Sequence, residues 1–133
     1  MLTSLRDRLR LTAAKRGCNQ GVCGACSVLI GGEPARACLS LTANCVDREI
    51  TTVEGLSTPL ALSPLQAAMV RGGAIQCGFC TPGMLVTLTA LLQEHPQPSR
   101  EEIRSAVSSN ICRCTGYQKI IEAVARMVET RPS

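Results

Sequence analysis

Aromatic side chains are nearly absent from this chain of 133 residues. Phe79 and Tyr117 are the only two, and there is no Trp. Two small lobes with so little bulk need staples such as disulfides, metals or a partner surface. A membrane-length apolar run is also missing. The opening "MLTSLRDRLRL" spreads its arginines without the apolar core of a secretory signal. These absences predict a cytoplasmic protein, although export inside a folded complex on a partner's signal would leave the same sequence. No acid–base pair or nucleophile stands out. The basic residues are scattered with no aromatic platform among them, which argues against a nucleic-acid surface.

Cysteine is what the chain has in excess. Nine are present, at positions Cys18, Cys23, Cys26, Cys38, Cys45, Cys77, Cys80, Cys112 and Cys114. An odd number leaves one thiol over in a pure disulfide framework, and a reducing compartment favours metal or redox chemistry instead. The formal charge of +4 fits that reading. Two oxidised [2Fe-2S] centres, each about −2 with four thiolates, would bring it to about zero.

The periodicity predicts an α+β chain in two parts. A short helix over residues 3–11, with Leu5 and Leu9 on one face and Thr3 or Ser4 as cap, leads into a Gly- and Cys-rich loop from Gly17 to Cys26. "SVLI" and "PARAC" flank Gly31-Gly32 as a tight hairpin, and Ile50 to Val53 forms a further strand closed by Gly55. Leu56 to Pro64 reads as a linker, dividing residues 1–58 from 59–133. Beyond it, Ser63-Pro64 starts one helix and Thr81-Pro82 a second. Ser99 with Glu102 makes a capping box for a third. Tyr117 to Glu129 is the fourth, with Ile120, Ile121, Val124 and Val128 as its apolar stripe.

Spacing separates the chemistries. Cys18-x4-Cys23-x2-Cys26, followed at a distance by Cys38, is the plant-type [2Fe-2S] pattern. Gly17, Gly21 and Gly24 let so short a loop wrap a cluster. In the second half, Cys77-x2-Cys80 and Cys112-x-Cys114 fall at turns that join helices, where a bundle can bring them together. A four-cysteine zinc knot is the alternative there, though C-x-C is unusual for zinc. A thioredoxin-like dithiol at "CGFC" lacks the βαβ context that motif needs.

With "KRGCNQGVCGACSV", "ITTVEGL", "IQCGFCTPGM" and "NICRCTGY" in place, the chain resembles the small iron–sulfur subunit of the molybdenum hydroxylases. That group contains xanthine dehydrogenase, aldehyde oxidoreductase and aerobic carbon monoxide dehydrogenase. The resemblance implies a plant-ferredoxin-like (β-grasp) domain, followed by a four-helix domain. It assigns Cys18, Cys23, Cys26 and Cys38 to an outer [2Fe-2S] cluster, and Cys77, Cys80, Cys112 and Cys114 to an inner one. Gln76 and Cys114 match the residues that contact the pterin. The molybdopterin cofactor would lie on a large partner subunit, and FAD on a medium one. The chain itself would transfer electrons and have no substrate site. A free-standing ferredoxin and a structural zinc module are the rival functions. Compared with the family pattern, the first β-hairpin is missing, which predicts exposed sheet edges and an uncovered face.

The remaining residues read more plainly. Cys45 fits neither quartet and behaves as a small buried apolar residue. His95 is a solvated residue at a helix C-terminus. Lys15 and Arg16 are solvated charges near the first loop, and Arg113, between two thiols, is the better candidate for tuning or docking. Tyr117 anchors the last helix. From its position alone Gln76 is an ordinary polar residue of a helix-to-turn junction.

Overall fold

The computed structural model describes residues 1–58 and 60–130. A three-stranded antiparallel sheet in the order β2-β1-β3 is followed by four helices. The strands are β1 (Ser27–Ile30), β2 (Glu33–Arg36) and β3 (Ile50–Thr51); the helices are α1 (Pro64–Arg71), α2 (Thr81–Glu94), α3 (Arg100–Ser108) and α4 (Gln118–Glu129). Pro59, inside the expected linker, and residues 131–133 lie outside the described residues.

The hairpin forms as expected. Ile30 pairs with Glu33 around Gly31-Gly32, whose φ angles of 59° and 87° suit the two-residue turns that match strand twist. β3 is shorter than the alternation suggested, because Val53–Gly55 turn into a 3-10 helix whose Val53 packs on the helical core. β2 likewise ends at Arg36, before Cys38.

The first helix is also different. Ser4–Arg8 form a single turn of π type, closed by Leu9 N–H on the Ser4 carbonyl at 3.1 Å and followed by Arg10 at φ 59°. The wider winding takes Leu9 off the buried face, leaving it 62% exposed, and Leu2 joins Leu5 in the core instead. Thr3 makes no side-chain cap bond.

Among the described residues the central strand has no uncovered face. All four residues of β1 are buried. Val28 and Ile30 pack with Leu2, Leu5, Ala37 and Cys45 on one side. α2 lies against β1 as well, joining the sheet to the helices.

The helical half follows its caps. Ser63 accepts from Gln66 N–H while the Gln66 side chain accepts from Ser63 N–H, and Ser99 and Glu102 repeat the device. Each such cap contributes about 1 kcal/mol. α2 begins one residue earlier than expected, at Thr81, so that Cys80 rather than Thr81 is its N-cap. Met69, Met84, Leu88, Ile103, Ile120 and Val124 are fully buried in one cluster. Each contributes roughly 1.5–3 kcal/mol. The predicted α4 stripe holds: Ile120, Ile121 and Val124 are buried and Val128 is half-buried. Tyr117 precedes α4 instead of starting it, in the left-handed region at φ 66°.

Candidate metal centres

The loop that carries the first three cysteines is held from outside itself. Lys15 N–H bonds the Ala25 carbonyl at 2.9 Å, and Arg6 reaches the Thr12 and Ala14 carbonyls at 2.7 and 2.8 Å. Gly21 at φ 77° and Gly24 at φ 72° make the turns, and the Leu39 side chain fills the space where a Gly21 Cβ would stand. The turn that results aims backbone donors at sulfur. Cys18 Sγ accepts from Gln20 N–H at 3.4 Å and from Cys23 N–H at 3.3 Å. These bonds favour the thiolate and bring its pKa down to about 6. Burial pushes the Cys26 thiol up, and the neighbouring Cys38 and Cys23 sulfurs add to it.

The second set gathers at the N-terminus of α2 and the turn between α3 and α4. Cys114 and Cys77 are both exposed, with their sulfurs 3.6 Å apart. Cys80, buried at the α2 N-cap, is pushed up to about 12 by burial and by the adjacent Cys112 and Cys77. Cys112 goes the other way. Burial opposes its ionisation, but Thr115 outweighs it by donating through Oγ1 at 3.1 Å and N–H at 3.4 Å. Neighbouring thiols, some pushed up by burial and adjacent sulfurs and others pulled down by amide and hydroxyl donors, suit a cationic iron core. All nine cysteines are free thiols. The donor chemistry of both sets therefore suits [2Fe-2S] ligation, although among the described residues no three of them are grouped closely enough to hold one metal ion.

The two sets adjoin. A cleft of about 240 Å³ is lined by Cys23 from the first and Cys77, Cys80, Cys112 and Cys114 from the second, together with Phe79, Ile111 and Arg113. Across it, Ile111 N–H donates to the Cys23 carbonyl at 2.9 Å, so the residue before Cys112 is bonded to a residue of the first loop.

The other predicted residues are placed plainly. Gln76 is exposed beside Cys77. Arg113 is exposed on the cleft, and Arg16 bonds Thr3 Oγ1 at 3.1 Å. His95 is exposed at the end of α2, 3.8 Å from Glu94. Cys45 is buried in the sheet-side core, in the cluster that also holds Cys26 and has Cys38 packed against it, with its thiol on the Leu41 carbonyl at 3.4 Å. The Tyr117 hydroxyl does more than anchor a helix: it accepts from Cys112 N–H at 2.8 Å and donates to the Asn110 carbonyl at 3.2 Å. Asn110 and Thr115 were not singled out by sequence. Thr115 is the one with a signal, since a hydroxyl next to a C-x-C pair can reach back to its sulfur.

A small sheet is joined to a bundle of four helices, and each part carries one of the two predicted cysteine sets. Comparison with known proteins agrees. The "2Fe-2S iron-sulfur cluster binding domain" model matches residues 1–71 and the "[2Fe-2S] binding domain" model residues 52–125. The nicotine 6-hydroxylase small subunit of Paenarthrobacter nicotinovorans is 54% identical over 120 residues, 90% of this chain and 72% of that protein. The nicotinate dehydrogenase small FeS subunit of Eubacterium barkeri is 46% identical over 97% of this chain and 82% of its own length. The crystal structure of quinoline 2-oxidoreductase from Pseudomonas putida 86 superposes with a TM-score of 0.92 at 48% identity, covering 96% of this chain and 80% of that one. The chain belongs to the small iron–sulfur subunits of the molybdenum hydroxylase family. It is the electron-transfer subunit of a multi-subunit oxidoreductase and carries no substrate site of its own. Among the described residues no helix is long and apolar enough to cross a membrane.

Proposed function

We propose that Cys18, Cys23, Cys26 and Cys38 hold an outer [2Fe-2S] cluster and Cys77, Cys80, Cys112 and Cys114 an inner one, on two units meeting near residue 58. The chain would connect a molybdopterin site on a large subunit with FAD on a medium subunit or another acceptor. Bound clusters supply one-electron transfer, and the protein supplies ligation, orientation and tuning.

The observation that carries the reading is the 2.9 Å bond from Ile111 N–H to the Cys23 carbonyl. It links Cys23 to the neighbour of Cys112 through a single hydrogen bond. Cys77, next to the exposed Gln76 in sequence, and Cys114 are exposed with their sulfurs 3.6 Å apart, while Cys80 is buried. That exposure supports Gln76 and Cys114 as the contacts to the pterin of the partner. Relatives named for nicotine, nicotinate and quinoline support an N-heterocycle as the substrate class of the large subunit. The cytoplasm remains the proposed location.

Co-expression with the large subunit, followed by purification and EPR, tests this. The chain is expected to co-purify with the larger protein. Cys38→Ser should perturb only one of two reduced-cluster signals and Cys114→Ser only the other. A chain that purifies as a monomer while carrying both clusters would instead be a free-standing carrier.

A further inference from the structure

Asn110 is a polar side chain in a place where an apolar one would be ordinary. It is only 1% exposed, yet its amide is fully engaged. Nδ2 donates to the Gly24 carbonyl at 2.8 Å and approaches Ser27 Oγ at 3.4 Å. Oδ1 accepts from Thr87 Oγ1 on α2 at 2.9 Å and lies 3.1 Å from Ser109 Oγ, which also has the Ala106 carbonyl at 2.8 Å. Its backbone carbonyl accepts from the Tyr117 hydroxyl, which itself accepts from Cys112 N–H. Gly24 lies between Cys23 and Cys26. Asn110 therefore links the first thiol loop, α2 and the second thiol turn, beside the Ile111–Cys23 bond and Arg36, which reaches Ser27 Oγ and the Ser109 carbonyl.

The surroundings are shaped to admit this amide. A Cβ on Gly24 would stand 2.5 Å from Asn110 Nδ2, and a Cβ on Gly83 2.7 Å from it. Both positions have given up a side chain where the amide sits. A leucine at 110 would leave the buried Thr87 hydroxyl without its acceptor, a costly loss, while the Gly24 carbonyl would keep Ser27 N–H at 3.0 Å and Ser27 Oγ at 2.7 Å. An aspartate would set an acceptor against the Gly24 carbonyl. The Ile111–Cys23 bond begins at the very next residue.

We propose that Asn110 is a positioning residue for electron transfer, fixing the first thiol loop against the second thiol turn and thereby setting how strongly the two cluster sites interact. Tyr117 is its extension to Cys112. The proposal rests on the ligand assignment given above.

Its test uses the co-purified holoenzyme with Asn110→Ala and, separately, Tyr117→Phe. The phenylalanine variant keeps the ring and removes only the hydroxyl. Readouts are iron per chain, the magnetic interaction between the two reduced clusters by EPR, and the rate of electron exchange between them after rapid partial reduction. The unmodified complex must first show two reduced-cluster signals, which checks the ligand assignment separately. Each variant is then expected to retain its iron and both signals, with an altered spin–spin splitting and a several-fold slower exchange. Full iron with unchanged splitting and rate overturns the proposal, even if the melting temperature falls, because that leaves Asn110 a purely structural role. Should Asn110→Ala fail to load iron, Tyr117→Phe decides: an altered splitting supports the proposal and an unaltered one overturns it.

Discussion

Alanine in place of Gly83 isolates the junction between α2 and the first thiol loop. A Cβ there would stand 2.4 Å from the Gly24 carbonyl oxygen and 2.7 Å from Asn110 Nδ2. Ordinary carbon–oxygen contacts lie at about 3.3 Å or more, so α2 and the loop must separate by roughly 0.9 Å. Such overpacking costs about 1–3 kcal/mol. Weakening the bond from Asn110 to the Gly24 carbonyl adds roughly 0.5–1.5 kcal/mol. Against this, replacing a helical glycine with alanine gains up to about 1 kcal/mol of helix propensity. The net expectation is a loss of about 0.5–4.5 kcal/mol. For a chain of this size that lowers the melting temperature by roughly 2–18 °C. Thermal melting of the iron-loaded protein, followed by circular dichroism and visible absorption, reads it out. Ser105→Ala, on the exposed face of α3, is the control and should be neutral or slightly stabilising. Gly83→Ala melting at or above the parent would refute the close packing of helix and loop.

Thr115→Val removes the hydroxyl donor to Cys112 Sγ. The midpoint potential of the inner cluster should fall by about 40 mV in an EPR redox titration, if about 1 kcal/mol of that bond distinguishes the two oxidation states. An unchanged potential would mean the bond does no tuning. Cys45→Ala should lower the melting temperature slightly while iron content and both spectra stay as they were, and a lost signal would make Cys45 a ligand. Glu54 bonds Ala13 N–H at 2.9 Å. Burial raises its pKa, but hydrogen bonds from Thr52 and Ala13 outweigh this and hold it below the usual carboxylate range. A depressed folded pKa makes that contribution complete above the unfolded value of about 4.3 and lost as pH falls through the folded one. Glu54→Gln should therefore melt lower than the parent at neutral pH, and the gap should close on acidification; a gap independent of pH would contradict this.

The iron–sulfur family was legible because cluster motifs are written in spacing along the chain, and the loop glycines mark where the backbone must turn. Helices opening with Ser63-Pro64 and Ser99-x2-Glu102 were legible for a similar reason, since a cap is a local hydrogen-bond problem solved within four residues. The first turn was not, because whether Leu9 faces the core depends on α or π winding, and packing of Leu2 and Leu5 decides that. β3 stops at Thr51 because Val53 is drawn to the helical core, a contact no strand propensity encodes. Asn110 was invisible for the plainest reason. Its partner Gly24 is 86 residues away, and an asparagine after a helix reads as an ordinary cap.

The most direct measurement of the central claim is iron and sulfide content, with EPR of the dithionite-reduced complex. Two [2Fe-2S] clusters require about four iron atoms per chain. With them come two distinct S = 1/2 signals that relax differently. Zinc without iron, or a single signal from a fully loaded chain, would contradict the account.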